Sequence, residues 1–265
     1  MNFKYINYIL SGNVAIIELN SPDTLNAFCM PMYDDVLTAL KLSGDNPDIK
    51  SVILSAVGKA FCAGGDISEM KNNLELYGHP KFDILAAKAA QISDEIMKMS
   101  KPVIAAVHNA VTGAAFNITL SCDIIIAAEH TRFAQSFIKL GLIPDAGGFY
   151  VLSKAIGVSK AKALVLTGDF ISAEEGLAMG FVYKTCKLGD LRKEALSLAE
   201  KMAAGPSKAY AAIKELIYKS RFADFEEYTK IESEYQDAMG QTRDFTEGVN
   251  AFLEKRSPAF TGRQP

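Results

Sequence analysis

Four short runs of apolar, largely β-branched residues constrain the fold of this 265-residue chain most strongly. They lie at 14–19, 51–57, 102–107 and 123–128. Because each run is apolar on both faces, the runs predict strands that are covered on both sides of a sheet. Between them, at 32–42 and 82–99, apolar residues recur every three or four positions, as in amphipathic helices. This alternation predicts an α/β fold with a parallel or mixed sheet.

Beyond Gly157 the sequence pattern is almost wholly helical, with predicted segments at 161–166, 173–179, 191–204, 207–220 and 224–239. Gly205 and Pro206 interrupt this pattern, and Ser207 is the predicted N-cap of the next helix. We therefore expect a core at 1–205 and a helical region at 206–265. An apolar stripe in that region includes Ile213, Leu216 and Ile217, and we expect it to pack against the core or a second subunit.

Charge and motif content disfavour several classes of protein. The 28 basic and 31 acidic residues give a net charge of −3, which offers no general attraction for nucleic acids or anionic membranes. No signal-peptide pattern or membrane-spanning apolar segment is present, so a cytoplasmic protein is expected. The four cysteines form no CxxC pair and the three histidines no HExxH, so we expect free thiols and no metal. Dinucleotide, P-loop and nucleophile-elbow motifs are missing as well.

Two loops of small residues directly follow predicted strands. The first, at 58–66, leads into a helix for which Asp66 is the predicted N-cap, with Glu69 reaching back to it. The second, at 108–117, has small residues at 113–115 just before the next helix. Backbone amides at such positions have no partner within the helix and can bind a ligand oxygen. The two loops could form an oxyanion hole, and simple strand-to-helix turns are the alternative.

The chain resembles the crotonase, or enoyl-CoA hydratase/isomerase, superfamily over nearly its whole length. The resemblance rests on LNSP at 19–22, LNA at 25–27, AFCAGGD at 60–66, KPVIAAV at 101–107, CD at 122–123, FAQ at 133–135, GLIPDAGG at 141–148, LTG at 166–168 and EGVNAFLEKR at 247–256. It implies a crotonase-like spiral of ββα units at 1–205 that binds acyl-CoA and carries catalysis. It also implies a C-terminal helical trimerisation region at 206–265, assembled as a homotrimer or a dimer of trimers.

Site residues follow from the resemblance by position. It assigns the oxyanion-hole amides to Gly65 and Ala114, the residues that the two loops place before helices. It further implies contacts to coenzyme A from Lys59, Ala63 and Phe260. Coenzyme A enters as part of the substrate, and no resident cofactor is expected. Lys71 and Arg263 are further candidates for its phosphates.

The sequence also departs from the hydratases of this family. These use two glutamates to activate water, and the corresponding positions here are assigned to Asn117 and Phe137. Asp145 occupies a position where some isomerases of the family carry a catalytic aspartate. One base there can move a proton from C2 to C4 of a 3-enoyl thioester, and burial is expected to raise its pKa. The alternative is that Asp145 only caps a helix beginning at Gly147.

The expected function is double-bond isomerisation of an enoyl-CoA in fatty acid metabolism, with Asp145 as the proton shuttle. One alternative is a hydratase or lyase that uses a different acid, such as one near His79. Another is a non-catalytic acyl-CoA-binding subunit. His108, at a predicted strand end, is expected to be a hydrogen-bonded structural residue.

Overall fold

The computed structural model describes residues 3–262, and its strands fall into two sheets. The strands are β1 (Ile6–Ser11), β2 (Val14–Leu19), β3 (Ser51–Ala56), β4 (Val103–Val107), β5 (Ala110–Thr112), β6 (Ile124–Ala128), β7 (Arg132–Ala134), β8 (Phe170–Ser172) and β9 (Lys184–Cys186). The main sheet has the order β1-β2-β3-β4-β6-β9, and the smaller one β5-β7-β8. β1 pairs antiparallel with β2, whereas β2, β3, β4, β6 and β9 pair in parallel.

Helices surround these sheets and make up most of the C-terminal half. They are α1 (Met30–Asp45), α2 (Ile67–Tyr77), α3 (Phe82–Lys98), α4 (Ala114–Leu120), α5 (Gly148–Ile156), α6 (Val158–Thr167), α7 (Ala173–Met179), α8 (Leu191–Ala203), α9 (Ser207–Arg221), α10 (Phe225–Gly240) and α11 (Arg243–Leu253). None of these helices is both long and apolar enough to cross a membrane. The predicted α/β class is confirmed, and the four predicted strands form the parallel centre of the main sheet.

Burial on both sheet faces explains the continuous apolar runs. Along β2, Ala15, Ile17 and Leu19 belong to the larger core cluster, which α1 and α3 cover. Val14 and Ile16 point to the other face, where α8 packs through residues such as Leu191. A strand with helices on both faces has no solvent-exposed side, so its sequence does not alternate between apolar and polar residues.

The helical region after residue 205 differs from the prediction at the start of α9. Pro206, not Ser207, is the N-cap of α9. Its carbonyl accepts the Ala209 and Tyr210 amides, so Ser207 is the first residue of the helix and not the residue before it. In addition, α10 packs against α3, and α11 against the 3-10 segment Ser136–Leu140. These C-terminal helices are part of the folded unit around the sheet. The division at residue 205 stays a prediction.

The predicted apolar stripe on α9 lies on the surface of the single chain. Ile213 is 51% exposed, Leu216 66% and Ile217 47%. The first of the two expected contacts, packing against the core, is therefore wrong. Polar contacts hold α9 to the rest of the chain instead. Buried Lys214 pairs with Asp123 and donates to the Ile96 carbonyl at 3.0 Å.

Candidate active site

A cavity of about 300 Å³ lies where the two predicted loops meet the C-terminal helices. Its wall includes Gly65 of the first loop, Ala114 of the second, and Asp145. Helices α10 and α11 add Gln236 and Phe252. The structure thus brings the three predicted catalytic residues to one cavity. It also shows that the C-terminal region contributes to this cavity, which the sequence analysis did not predict.

The first loop is held against the segment before α1 by an isolated parallel bridge between Phe28 and Gly65. Phe28 donates to the Gly64 carbonyl at 2.7 Å, and Asp66 donates to the Phe28 carbonyl at 2.9 Å. The Gly65 N–H shares a peptide group with the Gly64 carbonyl, and in a trans peptide the N–H and the C=O point in opposite directions, so the Gly65 N–H faces away from Phe28. Within residues 3–262 this N–H has no protein acceptor.

The second loop turns sharply into α4 at Gly113. This residue has φ 56° and ψ −131°, a conformation that glycine adopts readily and other residues avoid. Its own N–H donates to the Ala134 carbonyl at 3.0 Å, which fixes the turn to the smaller sheet. Ala114 is then the first residue of α4, where an amide has no partner within the helix. No acceptor for the Ala114 N–H occurs in the part of the chain that the structure describes.

Direct contacts hold the two loops together. Cys62 and Val111 form a parallel bridge, in which Cys62 donates to the Ala110 carbonyl at 3.0 Å. The Thr112 hydroxyl donates to the Ala63 carbonyl at 2.6 Å. A Cβ atom added to Gly64 would lie 3.1 Å from the Thr112 carbonyl oxygen, so the backbones approach closely. This packing gives Gly65 and Ala114 a fixed relative position beside the cavity.

Asp145 is a buried carboxylate on the cavity wall, with 7% of its surface exposed. Burial raises its pKa to about 7, and hydrogen bonds from its own backbone and from the Asn117 side chain oppose the rise. Its Oδ1 has no hydrogen-bond partner within residues 3–262. The N-cap of α5 is Gly147, and among residues 3–262 no side chain caps that helix. The alternative role as a helix cap is therefore wrong.

Further titratable residues line the cavity, among them Tyr33, Glu69 and Lys139, and none of these three was assigned a catalytic role from the sequence. Tyr33 of α1 is 3% exposed, and burial together with the negative charge of Asp145 raises its pKa. Glu69 of α2 accepts the Met30 N–H at 3.0 Å, and partial burial raises its pKa. The prediction that Asp66 is the N-cap of α2 is confirmed. The predicted return contact from Glu69 is wrong, because the Asp66 N–H is already bound to Phe28.

Only some of the remaining predicted residues lie at the cavity. Ala63 and Phe137 line it. Asn117 is fully buried behind the loop and donates to the Asp145 carbonyl at 2.8 Å. Lys59 does not line the cavity, nor does Phe260, which is 42% exposed. Lys71 forms an ion pair with Glu75 on the surface of α2, and Arg263 lies outside the described residues.

The histidines do not line the cavity either. His108 is buried and hydrogen-bonds to the Gly58 carbonyl through Nε2 at 3.1 Å, as expected for a structural residue, and burial lowers its pKa. His79 lies between α2 and α3, and its Nδ1 accepts the Lys81 N–H at 3.3 Å. Together with Asp83 and Asp237 it offers ligand atoms within 4.8 Å of one another. This group is partly exposed, and none of its three residues lines the cavity.

Comparison with known proteins gives consistent matches. A family model described as Enoyl-CoA hydratase/isomerase matches residues 10–263. A trans-2-decenoyl-[acyl-carrier-protein] isomerase of Streptococcus mutans is 37% identical over 263 residues, which is 99% of this chain and 100% of that protein. A probable enoyl-CoA hydratase of Rhodobacter capsulatus is 34% identical over 266 residues, with 99% and 100% covered. The crystal structure of an enoyl-CoA hydratase from Mycobacterium avium subsp. paratuberculosis superposes with a TM-score of 0.89 at 26% identity, covering 98% and 100%.

The raised pKa of Asp145 predicts how its replacement changes stability with pH. The folded protein retains this proton up to about pH 7, whereas the unfolded chain loses it near pH 4. The contribution of Asp145 to the free energy of unfolding therefore falls as the pH rises from about 4 to about 7. Asp145→Asn does not titrate, so its stability relative to the wild type should increase over this range.

Urea unfolding at pH 5 and pH 8 measures this change. We expect the urea midpoint of Asp145→Asn, relative to that of the wild type, to be higher at pH 8 than at pH 5. Replacement of the exposed residue Asp23 by asparagine serves as a control and should show the same difference at both values. A pH-independent difference for Asp145→Asn would contradict the burial of an ionisable group at this position.

Proposed function

Since this chain belongs to the enoyl-CoA hydratase/isomerase family of the crotonase superfamily, we propose that it moves the double bond of an enoyl thioester from between C3 and C4 to between C2 and C3. Its fold is the crotonase α/β fold that the sequence predicts. The observation that carries the proposal is the common cavity of one buried carboxylate, Asp145, and the amides of Gly65 and Ala114, which have no acceptor within residues 3–262.

The proposed reaction needs one base and no net loss of a proton. The Asp145 carboxylate takes a proton from C2 of the 3-enoyl thioester. The electron pair left on C2 moves towards the carbonyl oxygen, and the Gly65 and Ala114 amides stabilise the resulting enolate. The protonated Asp145 then returns its proton to C4, so that the carbonyl is restored and the double bond lies between C2 and C3. A pKa of about 7 suits a group that must both accept and donate at neutral pH.

The nature of the cavity and one relative favour isomerisation. The curated isomerase of Streptococcus mutans matches this chain from end to end. Phe137 on the cavity wall offers no group that could activate water. The proposed substrate is an enoyl-CoA, with Lys59, Ala63 and Phe260 as proposed contacts to coenzyme A. The name of the relative adds acyl-carrier-protein thioesters to the substrates that need testing.

A second candidate function is hydration of a 2-enoyl thioester. It is favoured by the second carboxylate on the cavity wall, because Glu69 and Asp145 could together orient and deprotonate a water molecule. Glu69 takes the place of the acid that the sequence analysis expected near His79. This candidate differs from the first in its product, since hydration adds one water molecule and isomerisation leaves the mass unchanged.

Replacement of Asp145 by asparagine tests the base. The amide has nearly the same shape but cannot accept the C2 proton, so we expect kcat for a 3-enoyl-CoA to fall by about 10²- to 10⁴-fold. In the wild type, kcat/KM should rise with pH to a plateau with a midpoint near 7, because only the ionised carboxylate is active. The assay uses mass spectrometry of 2-enoyl, 3-enoyl and 3-hydroxyacyl thioesters, on CoA and on acyl-carrier protein, in deuterated water. Unchanged isomerisation by Asp145→Asn, or a water adduct that depends on Glu69, would reject the isomerase proposal.

Replacement of Ala114 by proline tests the oxyanion hole. Proline has no N–H and is accepted at the first position of a helix, so the change removes one donor with little loss of structure. We expect kcat to fall by about 10²- to 10³-fold. Ala114→Gly is the matched control, since it keeps the amide and removes only the methyl group. Both variants are checked by circular dichroism, and equal activity of a folded Ala114→Pro would show that this amide has no catalytic role.

We also propose that the protein forms a homotrimer or a dimer of trimers. The exposed apolar residues of α9 support this assembly, because a second subunit would remove them from water. Light scattering after size exclusion should give a mass that is a multiple of three subunits, and Leu216→Glu should lower it. Leu76→Glu, at a 73% exposed position on α2, is the control and should leave the mass unchanged. A monomeric wild type would contradict the proposal.

A further inference from the structure

Two polar side chains of α10 bind the backbone on both sides of Asp145. Gln236 accepts the Ile143 N–H through Oε1 at 3.0 Å, and Glu232 accepts the Gly147 N–H through Oε1 at 2.7 Å. The two side chains are four residues apart and lie on the same face of the helix. The amides that they bind belong to residues two positions before and two positions after Asp145. α10 therefore contacts this loop symmetrically about the carboxylate.

The loop has a backbone that needs such contacts. Ala146 and Gly147 have φ values of 54° and 72°, so two successive residues adopt the left-handed conformation. For Ala146 this conformation is unfavourable, and it persists only where the surroundings fix it. Gly147 has no room for a side chain, because an added Cβ would lie 2.1 Å from the Phe225 ring. The bond to the Gly147 N–H is one of the contacts that fix this loop immediately after Asp145, beside those of Asn117 and Gly148 to the Asp145 carbonyl.

The polar groups on α10 are buried and incompletely satisfied. Glu232 is 5% exposed and Gln236 fully buried. Glu232 Oε2, Gln236 Nε2 and Asp145 Oδ1 are without hydrogen-bond partners in residues 3–262. Unpaired buried polar atoms lower stability, and apolar side chains at these inward positions would avoid that cost. Stability alone therefore does not account for a glutamate and a glutamine on the buried face of this helix.

From these contacts we propose that Glu232 and Gln236 are positioning residues, which hold Asp145 in its reactive place by binding the Gly147 and Ile143 amides. The proposal rests on the assignment of Asp145 as the base. It extends the reacting site into the C-terminal region, since both side chains belong to α10. The role of Glu232 is that of a hydrogen-bond acceptor, which a glutamine can also fill.

The charges around this pair agree with that role. Burial raises the pKa of Glu232 to about 8, with a further contribution from the negative charge of Asp145, and hydrogen bonds from the Gly147 amide and Tyr228 oppose it. Besides Glu232 on α10, Tyr33 on α1 faces Asp145. The raised pKa favours the protonated form of Glu232 at neutral pH, which reduces the negative charge beside the base. A protonated glutamate and a glutamine have the same shape and both offer Oε1 as an acceptor.

The test compares variants of Glu232 and Gln236 on a 3-enoyl-CoA substrate. Glu232→Leu and Gln236→Leu keep the volume and remove the acceptor, so we expect kcat to fall by about tenfold or more while KM changes little. Glu232→Gln restores the acceptor and should recover at least half of the wild-type kcat. Thr229→Val, one turn earlier on the same buried face, removes a hydroxyl bonded only to its own helix and should behave as the wild type.

The pH dependence separates positioning from a general loss of stability. A released loop admits water to Asp145, so the midpoint of the kcat/KM profile should move down from about 7 in the leucine variants and stay in place in Glu232→Gln. Leucine variants with wild-type kcat and midpoint would overturn the proposal. Equal losses in Glu232→Gln and Glu232→Leu would also overturn it, since the carboxyl itself would then be required. If Glu232→Leu does not fold, Gln236→Leu decides by the same criteria.

The Asp145→Asn variant keeps the two proposals apart. If it retains full activity, the function of Asp145 is rejected whatever the α10 variants do. If it is inactive while the leucine variants match the wild type, only the positioning role is rejected.

Discussion

The N–H groups of Gly65 and Ala114, which find no acceptor in the described part of the chain, are the feature on which the rest of the site depends. Each lies next to peptide groups that are bonded, through the Phe28–Gly65 bridge in one case and the Gly113–Ala134 contact in the other. The neighbouring bonds fix the direction of these two amides, so they need no reorganisation when negative charge develops on a bound oxygen. A bridge between Cys62 and Val111 fixes the distance between the loops. The strands of the two sheets thus serve to orient two donors.

Exclusion of water from the cavity wall sets the pKa of the Asp145 carboxylate. Asp145 has a pKa of about 7 because its charged form is poorly solvated, and a poorly hydrated cavity also strengthens the interaction between amides and an enolate. This arrangement lowers stability, since Asp145 Oδ1 and two polar atoms of α10 have no partners within the described chain. Contacts from Glu232 and Gln236 keep the strained loop in place. Catalytic readiness and local stability are therefore in opposition around this residue.

Much of this site could be predicted from the sequence because it lies in local patterns. The β-branched runs predicted the parallel strands, and the small residues after two of them predicted both amide loops. The strands β5, β7 and β8 could not be predicted, since three residues carry too little periodicity and these strands form only through tertiary pairing. The contact between Glu69 and Met30 was missed for a similar reason, because it joins residues 39 positions apart.

The participation of α10 is the largest gap between the sequence and the structure. Its buried positions, Phe225, Thr229, Glu232, Gln236 and Gly240, recur every three or four residues, so the stripe is visible in the sequence. Taken singly, the polar residues of this stripe are of types that usually lie at the surface. A search for polar residues in phase with Phe225 would have found Glu232 and Gln236, although only the fold reveals that they bind the loop around Asp145.

The infrared carbonyl band of a bound, unreactive acyl-CoA tests the central claim most directly. If two amides polarise the thioester, the band should move to lower wavenumber on binding to the wild type and to Ala114→Gly. It should move less on binding to Ala114→Pro, which has lost one donor. A band at the same position in free and bound ligand, or an equal shift in Ala114→Pro, would contradict the account.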